Sequence, residues 1–195
     1  MVTMSVDWEH IPDKHRSLIK AFLDEADMSA DAIKTVDFPP AYGADIVVSC
    51  EKAKDPKNGS IYLKPTQFVL GIGCRRNTAF ENIDRAIRQS LLKLQIDISD
   101  IDMIASIDVK KDEPGIKEFC ERNRIEFVTY TADELMAVQG EFSASQFVRE
   151  HVGVDNVCER AAVLAGSREC NEAGELIYKK HKYDSVTVAA AKYPD

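Results

Sequence analysis

The chain has 195 residues, 45% of them hydrophobic, and a formal net charge of -8. A chain of this length can bury a core without metals or disulfides, and its acidic balance argues against nucleic acid as the main partner. No apolar run reaches the ~20 residues that cross a bilayer, and the N-terminal sequence lacks a signal-peptide core. We therefore expect a cytoplasmic protein with no membrane partner.

The first 64 residues predict a small α/β flanking unit. "HRSLIKAFLDEADMS" has the period of an amphipathic helix, with Leu18, Phe22 and Leu23 on one face. "ADIVVSC" is typical of a buried strand, and "EKAKDPKNGS" of a polar loop.

From residue 65 to 195, strands and helices alternate. The predicted strands are "TQFVLGIG", "DMIASID" and "IEFVTY", followed at the C-terminus by "GELIYKK" and "SVTVAAA" as a hairpin. The predicted helices are "FENIDRAIRQSLLKL", "PGIKEFCERN", "ADELMAV", "SASQFVREHV" and "VCERAAVLAG". This order predicts an α/β three-layer sandwich around a central, mostly parallel but mixed sheet.

The stretch "VLGIGCRRNT" joins the first of these strands to the first helix. Gly71 and Gly73 predict a sharp turn after the strand. Thr78, followed three residues later by Glu81, has the form of a capping box and predicts a helix from Ala79.

Arg75 and Arg76 lie between that turn and the helix start. Unpaired N–H groups at a helix N-terminus, together with guanidinium donors, are suited to binding a carboxylate or phosphate. The alternative is an ordinary strand-to-helix turn with solvated arginines. The stretch fits neither a P-loop nor a Rossmann fingerprint, so a nucleotide is not the favoured anion.

Cys74 allows two interpretations. Beside two arginines and a helix N-terminus, its thiol would have a lowered pKa and could act as a nucleophile. Small cysteines at strand ends are more often packing residues, and no histidine is close in sequence to serve as a base. We favour packing. The five cysteines and four histidines show no metal-site spacing, which predicts free thiols and no bound metal.

A second charged loop, "SIDVKKDEPG", follows the next strand and should open at the same sheet edge. Its charged residues could place a general acid or base beside an anion-holding lysine. For Asp112 and Glu113, ordinary helix-start chemistry is the stronger alternative, whereas a cation such as Lys110 is disfavoured there.

Several of these segments resemble, in the same order, the C-terminal domain of the cobalamin-biosynthesis protein CbiG, which stands alone as CobE. They are "PTQFVLGIGCRRNT", "IASIDVKKDEPGI", "TADELMAV", "VGVDNVCERAAVLAG" and "SVTVAAA". The resemblance covers about residues 65 to 191. Residues 1 to 64 look like part of the central linker domain of that family, whose N-terminal "GHxGGAN"-like motif has no counterpart here.

The resemblance implies a cobalt-precorrin as the partner, with cobalt present only in this substrate and no separate cofactor. CbiG proteins open the lactone of this ring and release acetaldehyde. Asn77 replaces a glycine of the family, and we expect it to adopt the same left-handed turn. The substrate-binding candidates are Gly71, Gly73, Cys74, Arg75, Arg76, Asn77, Thr78, Lys110 and Lys111.

Glu113 and Asp108 are weak candidates for the catalytic group. Two functions remain open for this chain. It is part of a cobalt-precorrin-5A hydrolase, or it is a non-catalytic module that binds and carries a corrinoid intermediate. Two protein contacts are left open: a homodimer, or contact with the N-terminal domain that the resemblance implies.

Overall fold

A computed structural model describes residues 2–9, 11, 13–27, 33–36, 44–49, 61–63, 68–145, 150, 152–168 and 173–194. The chain divides into two compact units, residues 1–66 and 67–194. In the described segments, no helix is both long and apolar enough to cross a membrane.

The smaller unit contains the strands β1 (Val2–Val6), β2 (Ile33–Val36), β3 (Ile46–Val48) and β4 (Ile61–Leu63) and the helix α1 (Asp13–Asp27). The strands form a parallel sheet in the order β2-β1-β3-β4. The predicted strand in "ADIVVSC" is therefore confirmed as β3, and the predicted polar loop "EKAKDPKNGS" lies outside the described residues.

The predicted apolar face of α1 is correct for Leu23 and wrong for Leu18 and Phe22. Ile19 and Leu23 pack against the buried core of the smaller unit, whereas Leu18 and Phe22 are 63% and 50% exposed. Two apolar stripes at helical spacing run side by side here. Periodicity establishes that a stripe exists but does not choose between neighbouring stripes.

The larger unit is the predicted mixed sheet. Its strands are β5 (Phe68–Cys74), β6 (Ile101–Ile107), β7 (Glu126–Tyr130), β8 (Glu175–Tyr183) and β9 (Val186–Lys192), and its helices are α2 (Phe80–Leu94), α3 (Pro114–Asn123), α4 (Ala132–Ala137) and α5 (Val157–Gly166). The strand order is β7-β6-β5-β9-β8: β5, β6 and β7 are parallel, and β9 runs antiparallel to both β5 and β8. Half of the predicted helix "SASQFVREHV" lies outside the described residues, and residues 143–145 at its start are not helical.

Both faces of this sheet are buried, which explains the continuous apolar runs of its central strands. Successive side chains of β5 alternate between the faces: Leu70 and Ile72 pack with α2 and α3, and Val69 packs with α4 and α5. Parallel strands covered by helices on both sides define the three-layer α/β sandwich that the sequence predicted.

Gly71 and Gly73 do not form the predicted turn. Both lie inside β5, which continues to Cys74, and the turn comes later, at residues 76 and 77. A Cβ at position 71 would lie 1.7 Å from the carbonyl oxygen of Cys158 in α5. Glycine is needed at this position because the backbone of α5 lies directly on the strand.

We predict that Gly71→Ala destabilises the larger unit by about 3 kcal/mol or more, because a rigid backbone must move to admit the methyl group. Gly73→Ala in the same strand is the matched control. Its Cβ would meet the Thr187 hydroxyl at 2.7 Å, and a side chain can turn away. Urea denaturation followed by circular dichroism measures both. Equal losses would contradict the packing role of Gly71.

Candidate functional site

Three connections meet at the carboxyl ends of the parallel strands. The first loop (residues 75–79) follows β5, and the second loop (residues 108–113) follows β6, its parallel neighbour. The hairpin turn (residues 184–185) lies between β8 and β9, and its Ser185 carbonyl accepts a hydrogen bond from the Arg75 backbone N–H at 3.0 Å. The two charged loops therefore share one edge of the sheet, as the sequence predicted.

The first loop turns at Asn77, whose φ of 58° lies in the left-handed region. Asparagine is among the non-glycine residues that enter this region most readily. The expectation that Asn77 preserves the turn is therefore confirmed.

The predicted capping box is wrong. Helix α2 begins at Phe80 with Ala79 in the N-cap position, and no side chain caps it. The Thr78 hydroxyl instead donates to the carbonyl oxygen of Arg75 at 2.7 Å, which closes the turn from within. A tertiary contact explains the difference, because the Thr78 N–H donates to a carboxylate from the other loop.

That carboxylate belongs to Glu113, which is only 5% exposed. One of its oxygens accepts the Thr78 N–H at 3.1 Å, and the other accepts from Lys110 Nζ at 3.0 Å. Glu113 occupies the N-cap position of α3 but makes no side-chain cap. Helix-start chemistry therefore does not account for its side chain, and the ion pair explains why a lysine stands in the second loop.

Arg75 and Arg76 are exposed, and in the part of the chain that the structure describes neither guanidinium has a hydrogen bond or an ion pair. Lys111 is also exposed, whereas Asp108 is half-buried at the end of β6. Among the described residues, the guanidinium groups of the first loop are therefore available to an external anion. The charge of Lys110, in contrast, is neutralised by Glu113.

Cys74 is half-buried at the end of β5. Burial raises the pKa of its thiol to about 11, an effect that the nearby Lys110 only partly offsets. The Cys74 thiol therefore lacks the lowered pKa that the nucleophile interpretation requires. A thiol that stays protonated at neutral pH agrees with a packing role.

The structure separates the predicted site residues into two groups. Gly71 lies beneath α5, away from the edge, and Gly73 accepts from the Thr187 hydroxyl at 3.2 Å. The other predicted site residues lie in the two loops or, in the case of Cys74, directly before the first loop. Within the described segments, no group of three or more His, Cys, Asp or Glu side chains is placed to hold a metal ion.

Sequence reasoning missed Ser185. Its contribution is a backbone carbonyl, which any residue could supply, so no side-chain motif marks it. The hairpin itself was predicted, but the pairing of β9 with β5 that brings the hairpin turn to this edge was not.

These features define an α/β domain with a candidate anion-binding loop at the carboxyl edge of its sheet. Residues 68–191 match the family model described as "Cobalamin synthesis G C-terminus". The chain belongs to this family.

Two curated relatives are named cobalt-precorrin-5A hydrolase. The protein of Salmonella typhimurium is 33% identical over 126 residues, which cover 65% of this chain and 34% of that protein. The protein of Priestia megaterium is 31% identical over 138 residues, covering 71% of this chain and 35% of that protein. The chain thus spans about a third of the length of these relatives.

Among solved structures, that of CobE, a protein from the cobalamin (vitamin B12) biosynthetic pathway, superposes with a TM-score of 0.62 at 26% identity. The match covers 66% of this chain and 91% of CobE. The larger unit therefore has the fold of a protein from that pathway.

We predict that Lys110→Met destabilises the protein by about 1–3 kcal/mol, because the buried Glu113 carboxylate loses its cation. Adding Glu113→Gln should recover most of this loss, since the amide oxygen still accepts from Thr78 and no buried charge remains. Urea denaturation is followed by circular dichroism. Tryptophan fluorescence would not report directly on the larger unit, because the single tryptophan, Trp8, lies in the smaller unit.

Lys117→Met is the matched control for this pair. Lys117 is half-exposed and stands 3.9 Å from the exposed Asp112, so its loss should cost less than about 0.5 kcal/mol. If the double variant is as unstable as Lys110→Met alone, loss of the Lys110–Glu113 ion pair is not the cause of the destabilisation.

We predict that Cys74 reacts slowly with iodoacetamide at neutral pH and that its rate rises only as the pH approaches about 11, where the buried thiol ionises. Mass spectrometry of the Cys74 peptide across a pH series gives this profile. A midpoint at or below neutral pH would restore Cys74 as a candidate nucleophile.

Proposed function

We propose that this chain takes part in cobalamin biosynthesis in the cytoplasm by binding a cobalt-precorrin through its carboxylates at the edge formed by the two loops. The observation that carries this proposal is the pair of exposed arginines, Arg75 and Arg76, which have no protein partner among the described residues. A guanidinium matches a carboxylate with two parallel hydrogen bonds. The names of the relatives supply the ligand class.

The proposed reaction of the complete protein is hydrolysis of the cobalt-precorrin-5A lactone with release of acetaldehyde. In this chain, the candidates for activating water are Glu113 and Asp108. Both oxygens of Glu113 already accept hydrogen bonds. Asp108 is half-buried, and its carboxylate has no hydrogen bond or ion pair among the described residues, so it is the better candidate of the two.

The second candidate function is a non-catalytic module that holds or transfers the intermediate. Two observations favour it: the Glu113 carboxylate is engaged in protein contacts, and the Cys74 thiol has a raised pKa. A partner for such a module would be a second copy of the chain or a domain equivalent to the part of the longer relatives that it does not cover.

We predict that Arg75→Ala weakens binding of cobyrinic acid, a corrinoid with free carboxylates, by about tenfold, because one charge-assisted contact is lost at an exposed site. Arg75→Lys should recover only part of the loss, since an ammonium cannot form the paired hydrogen bonds. Isothermal titration calorimetry gives the affinities. The methyl ester of the same corrinoid should bind weakly to every variant.

Arg88→Ala is the matched control, since Arg88 is an exposed arginine of α2 that already pairs with Asp84 at 2.8 Å. Equal affinity of wild type, Arg75→Ala and Arg88→Ala for cobyrinic acid would return the first loop to an ordinary strand-to-helix turn.

An acetaldehyde assay separates the two functions. The chain is incubated with cobalt-precorrin-5A, and the product is measured with alcohol dehydrogenase and NADH. Multiple turnovers abolished by Asp108→Asn would support the hydrolase. Tight binding without acetaldehyde would support the module.

A further inference from the structure

We infer that Glu113 is a positioning residue: its buried carboxylate fastens the first loop to the second and thereby sets where Arg75 meets an anionic ligand. The ligand-binding half of this inference rests on the proposed function. The fastening itself follows from contacts within the larger unit.

The Glu113 carboxylate joins two elements distant in sequence. It accepts from the backbone of Thr78 in the first loop and from the side chain of Lys110 in the second. The Lys110 and Glu113 side chains are 13% and 4% exposed, so water competes little for these bonds. A carboxylate held in this way by two donors is suited to fixing geometry rather than to transferring a proton.

Gly115, at the start of α3, provides a second contact between the first loop and the segment that follows β6. A Cβ at this position would lie 2.3 Å from the carbonyl oxygen of Thr78, so the first loop rests directly on the start of α3. The N–H of Thr78 is thus held by Glu113, and its carbonyl oxygen lies against Gly115. Both ends of this residue are fixed by the segment that follows β6.

The constraint passes from Thr78 to Arg75 through one more bond. The Thr78 hydroxyl donates to the Arg75 carbonyl oxygen, and the Arg75 N–H donates to Ser185 in the hairpin turn. Releasing Thr78 would leave Arg75 attached on one side only. The guanidinium would then sample more positions and would lose the benefit of being preorganised for a ligand.

The test compares Glu113→Ala with Glu113→Gln by calorimetry with cobyrinic acid, using the full chain well below its melting temperature. Both variants remove the same negative charge and leave the Lys110 cation without its partner, so they differ in the acceptor for Thr78. We expect Glu113→Ala to bind roughly tenfold more weakly than Glu113→Gln. Glutamine keeps an acceptor oxygen and should restore binding to within about threefold of wild type. If Glu113 acted as an acid or base, glutamine would fail to restore turnover in the acetaldehyde assay. Glu121→Ala, at an exposed glutamate of α3, is the control.

A double-mutant cycle distinguishes positioning from general destabilisation. If Glu113 acts through Arg75, then Arg75→Ala should weaken binding further by less than about threefold in the Glu113→Ala background, against about tenfold in wild type. An unchanged Arg75 effect in that background would overturn the inference while leaving the proposed function intact.

Amide exchange of Thr78, measured by NMR in the ligand-free protein, distinguishes failure of the proposed function from failure of the inference about Glu113. We expect a protected Thr78 N–H in wild type and Glu113→Gln, and fast exchange of this N–H in Glu113→Ala, with the amides of β5 unchanged. Wild type that does not bind cobyrinic acid would overturn the proposed function, and the exchange data would still support the fastening. Protection of Thr78 in Glu113→Ala would overturn the fastening.

Discussion

The close contact between α5 and Gly71 is the constraint on which the larger unit depends. It lets the first turn of α5 lie on the central strand, and this places Glu159, a carboxylate with no exposed surface, above the sheet. Glu159 accepts from the Lys180 N–H of the edge strand β8 at 2.6 Å and from both the N–H and the hydroxyl of Ser143. A buried charge is stable only with such donors. Through Glu159, α5 therefore anchors both the edge strand β8 and the segment around Ser143 that precedes α5.

This anchoring extends to the candidate site. The β8–β9 hairpin carries Ser185, whose carbonyl holds Arg75 from one side, and Glu113 holds Thr78 from the other. A loop fixed at both ends loses its conformational freedom when the protein folds rather than when a ligand binds. The affinity of an exposed arginine pair then depends on the rigidity of its support as well as on the strength of each contact.

The sequence predicted α2 because it has one clear apolar face and α5 because almost all of its residues are small or apolar, and both helices have typical lengths. It failed where tertiary contacts compete with local patterns. Thr78 fits a capping box, yet Glu113 and the Arg75 carbonyl take its donors. The local pattern predicts a turn at Gly71, whereas glycine is required there by the close contact with Cys158, which lies 87 positions later in the chain. Contacts of this kind leave no local signal.

The charge of the whole molecule bears on what the edge can recognise. With a net charge of -8, the chain repels an anionic ligand at long range, but salt screens that repulsion beyond about 8 Å at physiological ionic strength. Binding must then come from short-range contacts at the edge itself. Lys110 is already neutralised by Glu113, so Arg75, Arg76 and Lys111 are the exposed cations of the two loops. Since short-range guanidinium contacts are sensitive to small displacements, the selectivity of such a site for carboxylates depends on the buried Glu113 that holds the first loop in place.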